Sequence, residues 1–263
     1  MTQAVQIRTE PRPAWCGADE WALRQQLAAT YHVFDHLGWI ESIFNHITVR
    51  VPGPEKHYLI NPFGLNYNEI TASNLIKIDI DGQALSPTAH PVNRAGFIIH
   101  SAVHDAREDA HCVIHTHTNT GMAVACKEAG VSYDNFYGAQ LFGRVAYHEF
   151  EGITVHGEEQ PRLVASLGDK SVLVLRNHGL LVVEQSLPKA FWLLWTLQRA
   201  CDIQCATEGH AGPSRPLPDA VRAACAHDGE HFDPSGALGL KMLEAAIRRM
   251  EMARSGVHVD FRG

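Results

Sequence analysis

The chain has 263 residues, of which 45% are hydrophobic and 19% are charged, and its formal net charge is −7. These proportions are typical of a globular protein with a large buried core, in one or two domains. The negative charge argues against a general nucleic-acid partner. No run of about 20 apolar residues indicates a transmembrane helix.

The N-terminus and the cysteines indicate the compartment. Arg8, Glu10 and Arg12 stand among prolines, a pattern unlike that of a secretory signal peptide. The six cysteines form no Cys-X-X-Cys pair, as is typical of free thiols in a reducing environment. We therefore expect a cytoplasmic protein without disulfides and without a membrane partner.

The N-terminal half predicts one helix followed by several strands. Residues 1–17 are rich in proline and polar residues and are expected to form a loose arm. An apolar stripe at helical spacing predicts a helix from Asp19 to Leu37, ended by Gly38. The next predicted elements are strands at 44–50, 57–60 and 75–80, the first two joined as a hairpin, and a helix at 91–107.

The second half alternates strands with helices and ends in helices. The predicted elements are a strand from Cys112, a helix at 118–129, a strand at 145–147, a helix at 158–167, strands at 171–175 and 180–184, and helices at 188–207, 219–227 and 236–255. This order predicts a sheet covered by helices on both faces. Because prolines cluster at 213–218, we expect residues 18–210 to form one domain and residues 211–263 a helical extension.

Two histidines end the apolar run Cys112-Val113-Ile114-His115-Thr116-His117. Since residues i and i+2 of a strand point to the same face, His115 and His117 are expected to project together. His178 follows the apolar run at 171–175 and offers a third imidazole. Three histidines with room for a water or a substrate are typical of a catalytic Zn, Mn or Fe site. The alternative is an ordinary polar strand end.

The order and spacing of several motifs resemble those of the class II aldolase/adducin superfamily, over residues 23–207. The motifs are Phe44-Asn45-His46-Ile47-Thr48-Val49-Arg50, residues 60–64, residues 93–100, His115-Thr116-His117, residues 146–152 and Arg176-Asn177-His178-Gly179. The resemblance implies an α/β fold, a three-layer α/β/α sandwich around a mixed, mainly antiparallel sheet. It also implies a divalent metal held by His115, His117 and His178, and a homotetramer with active sites near subunit boundaries.

The sequence departs from the sugar-phosphate aldolases that it resembles. In those enzymes a glutamate that serves as acid/base occupies the position of Gly96, and phosphate-holding hydroxyl residues occupy the positions of Arg94 and Ala95. A further phosphate-holding threonine is replaced here by Phe63. The resemblance therefore implies a retained metal site without the phosphate cradle and without the usual acid/base.

Other polar residues are candidates for substrate binding. Asn93 and Arg94 lie where phosphate contacts would be and could bind a carboxylate; alternatively, Asn93 caps a helix and Arg94 is solvated. Asn45, Asn61 and Gly64 are candidates for shaping the pocket, with a purely structural role as the alternative for Gly64.

His100 and Glu149 are the catalytic candidates. His100 lies one helical turn after Gly96 and would orient the substrate or support the ligands; alternatively, it is a hydrogen-bonded core residue. Glu149 belongs to the polar run at 147–151 and would replace the missing glutamate as base or fourth ligand; alternatively, it is an ordinary surface charge. The absence of a nucleotide-binding glycine loop and of a nucleophile elbow leaves nucleotide cofactors and serine hydrolysis unsupported.

Together these features predict a metal-dependent lyase that cleaves a C–C bond in a small unphosphorylated hydroxy or oxo acid. Retro-aldol cleavage and decarboxylation share an enolate that a metal stabilises, so the site suits either reaction. Zn is the preferred ion, with Mn or Fe as alternatives. Two other functions stay open, a non-haem Fe(II) oxygenase acting on an aromatic oxo-acid and a non-catalytic adducin-like interaction protein.

Overall fold

The computed structural model describes residues 11–153, 157–233, 235 and 237–254, without the side chains of residues 94 and 95. Within these residues, seven strands form one sheet. The strands are β1 (His46–Arg50), β2 (Tyr58–Ile60), β3 (Ile76–Ile78), β4 (Cys112–Thr116), β5 (Val145–His148), β6 (Val172–Leu175) and β7 (Gly179–Glu184). Their order across the sheet is β3-β2-β1-β4-β7-β6-β5.

The pairing of these strands confirms the predicted mixed, mainly antiparallel sheet. Strands β5 and β6 run parallel, whereas the other described pairs are antiparallel. The predicted hairpin is present as β1 and β2. Strand β1 also pairs with the distant β4, which places His46 directly opposite His115 and Thr48 opposite Val113. This pairing decides which side chains surround the histidines.

Helices surround the sheet. They are α1 (Ala18–Leu37), α2 (Arg94–Ala106), α3 (Asn119–Ala125), α4 (Phe136–Ala139), α5 (Gln160–Leu167), α6 (Leu187–Glu208), α7 (Asp219–His231) and α8 (Ala237–Ala253). Gly38 ends α1 in the left-handed conformation, with φ of 73°. The Ser186 side chain accepts from the N–H of Lys189 where α6 begins. In the described ranges, no helix is both long and apolar enough to cross a bilayer.

Alternate residues of the central strands enter different cores, as the three-layer prediction requires. In β4, Cys112 and Ile114 pack in the core that contains residues of α1 and α6. Val113 packs in a second core, with Val103 of α2 and Leu163 of α5. Because side chains two apart share a face, His115 lies on the same face as Val113, toward α2.

Several element ends differ from the predicted ones. Strand β1 begins at His46 rather than at residue 44, because Asn45 has a positive φ of 66° that ends the extended conformation. Helix α2 begins three residues late, at Arg94, where Asn93 caps it. Helix α3 ends at Ala125 rather than near residue 129, and the four-residue α4 was not predicted.

The two ends of the chain lie partly outside the described residues. Residues 1–10 of the predicted arm and residues 255–263 are not among them. In the described remainder of the arm, Cys16 is buried beside Trp21 and Ala72. The division into arm, domain and helical extension stays a prediction. The cysteines, which all lie in the described ranges, are free thiols.

Candidate metal centre

Three structural elements bring the predicted histidines together. His115 lies in β4, and His117 follows the end of that strand. Thr118 then caps α3 by accepting from the N–H of Gly121, so the chain turns directly after His117. His178 lies in the short loop between β6 and β7, where Asn177 adopts a positive φ of 55° that asparagine tolerates. Because β4 pairs with β7, this loop lies next to His117.

The distances within this group suit a metal ion. One ligand atom from each of His115, His117 and His178 lies within 4.8 Å of the others. Nε2 of His115 is 2.8 Å from Nε2 of His117. A tetrahedral zinc ion with Zn–N bonds of about 2.0 Å would separate its nitrogen ligands by about 3.3 Å. Small side-chain rotations would therefore accommodate the ion.

Hydrogen bonding and burial prepare the imidazoles for ligation. His115 donates from Nδ1 to the carbonyl of Leu180 at 2.9 Å, which leaves Nε2 with the lone pair. Burial and, to a smaller extent, the neighbouring His117 lower the pKa of His178 to about 4, whereas the charge of Glu159 has a smaller, opposite effect. Burial also lowers the pKa of His117, and burial with the neighbouring histidines holds the pKa of His115 well below its usual range. Neutral imidazole is the form that binds metals.

Among the described residues, no carboxylate belongs to the group of three histidines. Glu149 is exposed and lies just after β5. The carboxylate whose charge reaches His178 is Glu159, which also accepts a hydrogen bond from His148 at 3.1 Å. The role of Glu149 as base or fourth ligand stays a prediction, and Glu159 is a residue that the sequence pattern did not single out.

The predicted binding residues have different surroundings. Asn45 is buried, and neither atom of its side-chain amide has a hydrogen-bond partner among the described residues. Asn61 is buried and accepts from the hydroxyl of Tyr31 at 2.9 Å. Gly64 has a φ of 97°, which requires glycine. Asn93 caps α2 by accepting from the N–H of Gly96 at 3.4 Å. The side chain of Arg94 lies outside the described residues.

His100 is completely buried on the α2 side of the sheet. Its Nδ1 lies 2.6 Å from the hydroxyl of Thr48, which is also 2.6 Å from Nε2 of His104. Nδ1 of His104 in turn donates to the carbonyl of Ala110 at 2.7 Å. His100 therefore belongs to a buried hydrogen-bonded chain, and its Nε2 has no partner among the described residues.

His46 is a second residue near the triad that the sequence pattern did not single out. Its ring lies 6.4 Å from that of His115 and 4.1 Å from that of His100, measured between centroids. It also fills the space beside Gly96, since a Cβ built at that glycine would lie 2.0 Å from Cε1 of His46. Burial brings the pKa of His46 to about 4, although the carbonyls of Gly96 and Asn45 favour its protonated form.

Comparison with known proteins places these features in context. The profile of the class II aldolase and adducin N-terminal domain matches residues 25–205. The solved aldolase II superfamily protein from Pseudomonas syringae is 41% identical, covers 95% of this chain and 98% of its own, and gives a TM-score of 0.86. L-fuculose 1-phosphate aldolase from Glaciozyma antarctica is 26% identical, covers 97% of each chain and gives a TM-score of 0.80. Alpha-adducin of Rattus norvegicus is 40% identical over 245 residues, which are 88% of this chain and 33% of that protein.

Proposed function

The chain belongs to the class II aldolase/adducin family, and we propose that it is a metal-dependent lyase acting on a small unphosphorylated hydroxy or oxo acid. The observation that carries the proposal is the convergence of His115, His117 and His178 as three imidazoles with lowered pKa values. A divalent ion held by three neutral ligands would keep its full charge and favour the negative charge of an enolate.

The residues around the triad support the substrate class. Position 96 is a glycine, and the space beside it holds the His46 ring, so no acid side chain is present there. Decarboxylation asks less of a dedicated base than aldol cleavage does, and both pass through an enolate. The buried amide of Asn45, which has no hydrogen-bond partner among the described residues, offers two N–H donors and a carbonyl acceptor to polar groups of the substrate. Zn is the ion we propose, in a cytoplasmic homotetramer.

A scaffolding role is the second candidate, because alpha-adducin is 40% identical to this chain. Adducin-like scaffolding would not require three neutral imidazoles to converge at a partly accessible position. The metal content of the protein therefore separates the two functions. The oxygenase alternative requires Fe(II) instead of zinc. Iron sites of that class commonly include a carboxylate ligand.

The test is metal analysis of protein purified without chelator, with His115→Ala and His178→Ala beside the wild type. His111→Ala is the matched control, because His111 is exposed and precedes the other end of β4. We expect about one zinc ion per chain in the wild type and the control, and less than a tenth of that in the two triad variants. Zinc-loaded wild type should then cleave a member of a panel of hydroxy and oxo acids.

Two results would overturn this proposal. A wild type that binds no metal after reconstitution would favour the scaffold. Iron bound by the same residues, with oxygen uptake on aromatic oxo-acids, would favour the oxygenase.

A further inference from the structure

The last turns of helix α7 carry two exposed histidines, His227 and His231. Residues four apart are neighbours on one face of a helix. The centroids of the two imidazole rings lie 4.2 Å apart, and the ring planes are inclined by 29°. Zinc-binding helices with the pattern His-Glu-X-X-His hold the ion with two histidines at this spacing. The two rings are thus neighbours at the surface, at a spacing that suits metal ligation.

A hydrogen bond determines which nitrogen of His231 is available to a ligand. Nδ1 of His231 lies 2.8 Å from the carbonyl oxygen of His227. A carbonyl only accepts, so Nδ1 carries the proton and donates it, and Nε2 of the neutral ring keeps its lone pair. Metal-ligating histidines usually donate their other ring N–H to a carbonyl or a carboxylate in the same way. The tautomer of His231 is therefore the one that a metal requires at Nε2.

The position of the pair at the end of a helix favours a cation. The carbonyls of the last turn have no partner within the helix and form the negative end of its dipole. Asp228 and Glu230, which are exposed, lie between the two histidines in the sequence and add negative charge. Among the described residues, no third histidine, cysteine or carboxylate lies close enough to join the pair in a larger group of ligands. Water would therefore complete the coordination of an ion bound there.

The pair is separate from the candidate metal centre. Glu230 of α7 and Glu184 of β7 line the same cavity. Glu184 lies opposite Cys112, at the beginning of β4, whereas His115 lies near the other end of that strand. An ion at the end of α7 would therefore occupy a different region of the protein from an ion at the triad.

We propose that His227 and His231 form a second metal site, which binds a divalent transition ion of the zinc, copper and nickel class. Imidazole nitrogen is a preferred ligand of these ions, whereas magnesium and calcium prefer oxygen. The exposed side chains can rotate until their nitrogens reach the spacing of about 3.3 Å found in a tetrahedral zinc site. The bound ion would link two successive turns of α7 and stabilise the end of the helix. This site goes beyond the proposed function and does not depend on it.

Zinc titration of the metal-free protein, followed by nitrogen-15 NMR of the histidine rings, tests the site. We expect the signals of His227 and His231 to shift together at micromolar zinc, with Nε2 as the shifted nitrogen of His231. His227→Ala should weaken zinc binding at His231 at least tenfold, because the second ligand of a chelate binds at a high effective concentration. His111→Ala is the control, since it removes a different exposed imidazole. Magnesium at the same concentration should shift neither ring.

Hydrogen exchange of the backbone amides measures the effect on the helix. Zinc should slow exchange in the last two turns of α7 in the wild type, because an ion that binds only the folded helix end makes its opening less frequent. The same addition should have no effect on these amides in His231→Ala.

Three outcomes would overturn the inference. They are shifts of the two rings at clearly different zinc concentrations, zinc binding at His231 that is unchanged in His227→Ala, and shifts that magnesium produces equally well. The NMR signals also separate this inference from the proposed function. A response of His115, His117 and His178 without one from α7 would defeat the second site alone, and a response of α7 without one from the triad would support it.

Discussion

Gly179 lies against His115, in β4, and His117, which directly follows that strand, with no room for a side chain between them. A Cβ built at Gly179 would be 2.5 Å from the carbonyl oxygen of Thr116, 2.9 Å from Cδ2 of His117 and 3.2 Å from Cε1 of His115. The oxygen belongs to the paired backbone of β4, so it cannot move away without disturbing the sheet. Glycine at this position therefore lets the loop that carries His178 approach His117.

We expect Gly179→Ala to weaken zinc binding at least tenfold and to lower the free energy of unfolding by about 1–3 kcal/mol. The added methyl group would push the His178 loop away from β4 and separate the three imidazoles. A competitive zinc titration and urea denaturation measure the two effects. Gly209→Ala is the control, because a Cβ there comes no closer than 3.4 Å to another atom. If Gly179→Ala binds zinc as tightly as the wild type, this packing does not determine the positions of the three imidazoles.

Thr48 offers a second prediction, since its hydroxyl lies between two buried imidazoles. Thr48→Val keeps the shape of the side chain but removes the partner of both His100 and His104. Each buried group left without a partner costs about 1–3 kcal/mol, so for the two imidazoles we expect a loss of about 2–6 kcal/mol in the free energy of unfolding. Thr48→Ser retains the hydroxyl and should lose much less. Equal losses in the two variants, measured by urea denaturation, would mean that the loss of stability comes from packing and not from hydrogen bonding.

Acid should destabilise the fold through buried histidines. Burial brings the pKa of His104 to about 3 and that of His46 to about 4, whereas an unfolded chain has histidines near 6.5. Between these values the unfolded state binds more protons, so stability is complete above pH 6.5 and falls as the pH decreases. From pH 7 to pH 5 each histidine should remove about 2 kcal/mol.

Urea denaturation of zinc-free protein at the two pH values measures this loss. His104→Gln should reduce the difference in the free energy of unfolding between pH 7 and pH 5 by the contribution of one histidine. His111→Gln, at an exposed position, should leave it unchanged. Stability that is constant or greater at pH 5 would show that these rings are protonated in the folded state.

Local patterns in the sequence were sufficient to predict the triad as a group. The strand period placed His115 and His117 on one face, and the apolar run before His178 placed it at another strand end. The same patterns gave the hairpin of β1 and β2 and the bounds of α1. They failed where the conformation was not periodic: the left-handed Asn45 shortens β1, and four residues are too few for α4 to show a helical period.

His46 escaped prediction for a different reason. Its place beside His115 depends on the pairing of β1 with β4, which are separated by two strands and a helix in the sequence. Adjacent strands in a chain can be recognised as a hairpin by their turn, but distant pairings leave no comparable local signal. The glycine at position 96 was the available clue, since it leaves the space that the imidazole fills.

The last prediction concerns Gly96 and His46. A Cβ at residue 96 would lie 2.0 Å from Cε1 and 2.6 Å from Nδ1 of His46, so Gly96→Ala should displace the ring and lower the free energy of unfolding by about 1–3 kcal/mol. His46→Ala should be destabilising by itself, because it leaves a cavity under α2. In the double variant the methyl group added at position 96 would enter that cavity. The double variant should therefore be more stable than the sum of the single effects predicts, by at least about 1 kcal/mol in a double-mutant cycle. Additive effects, measured by urea denaturation of the four proteins, would show that the two positions do not share this space.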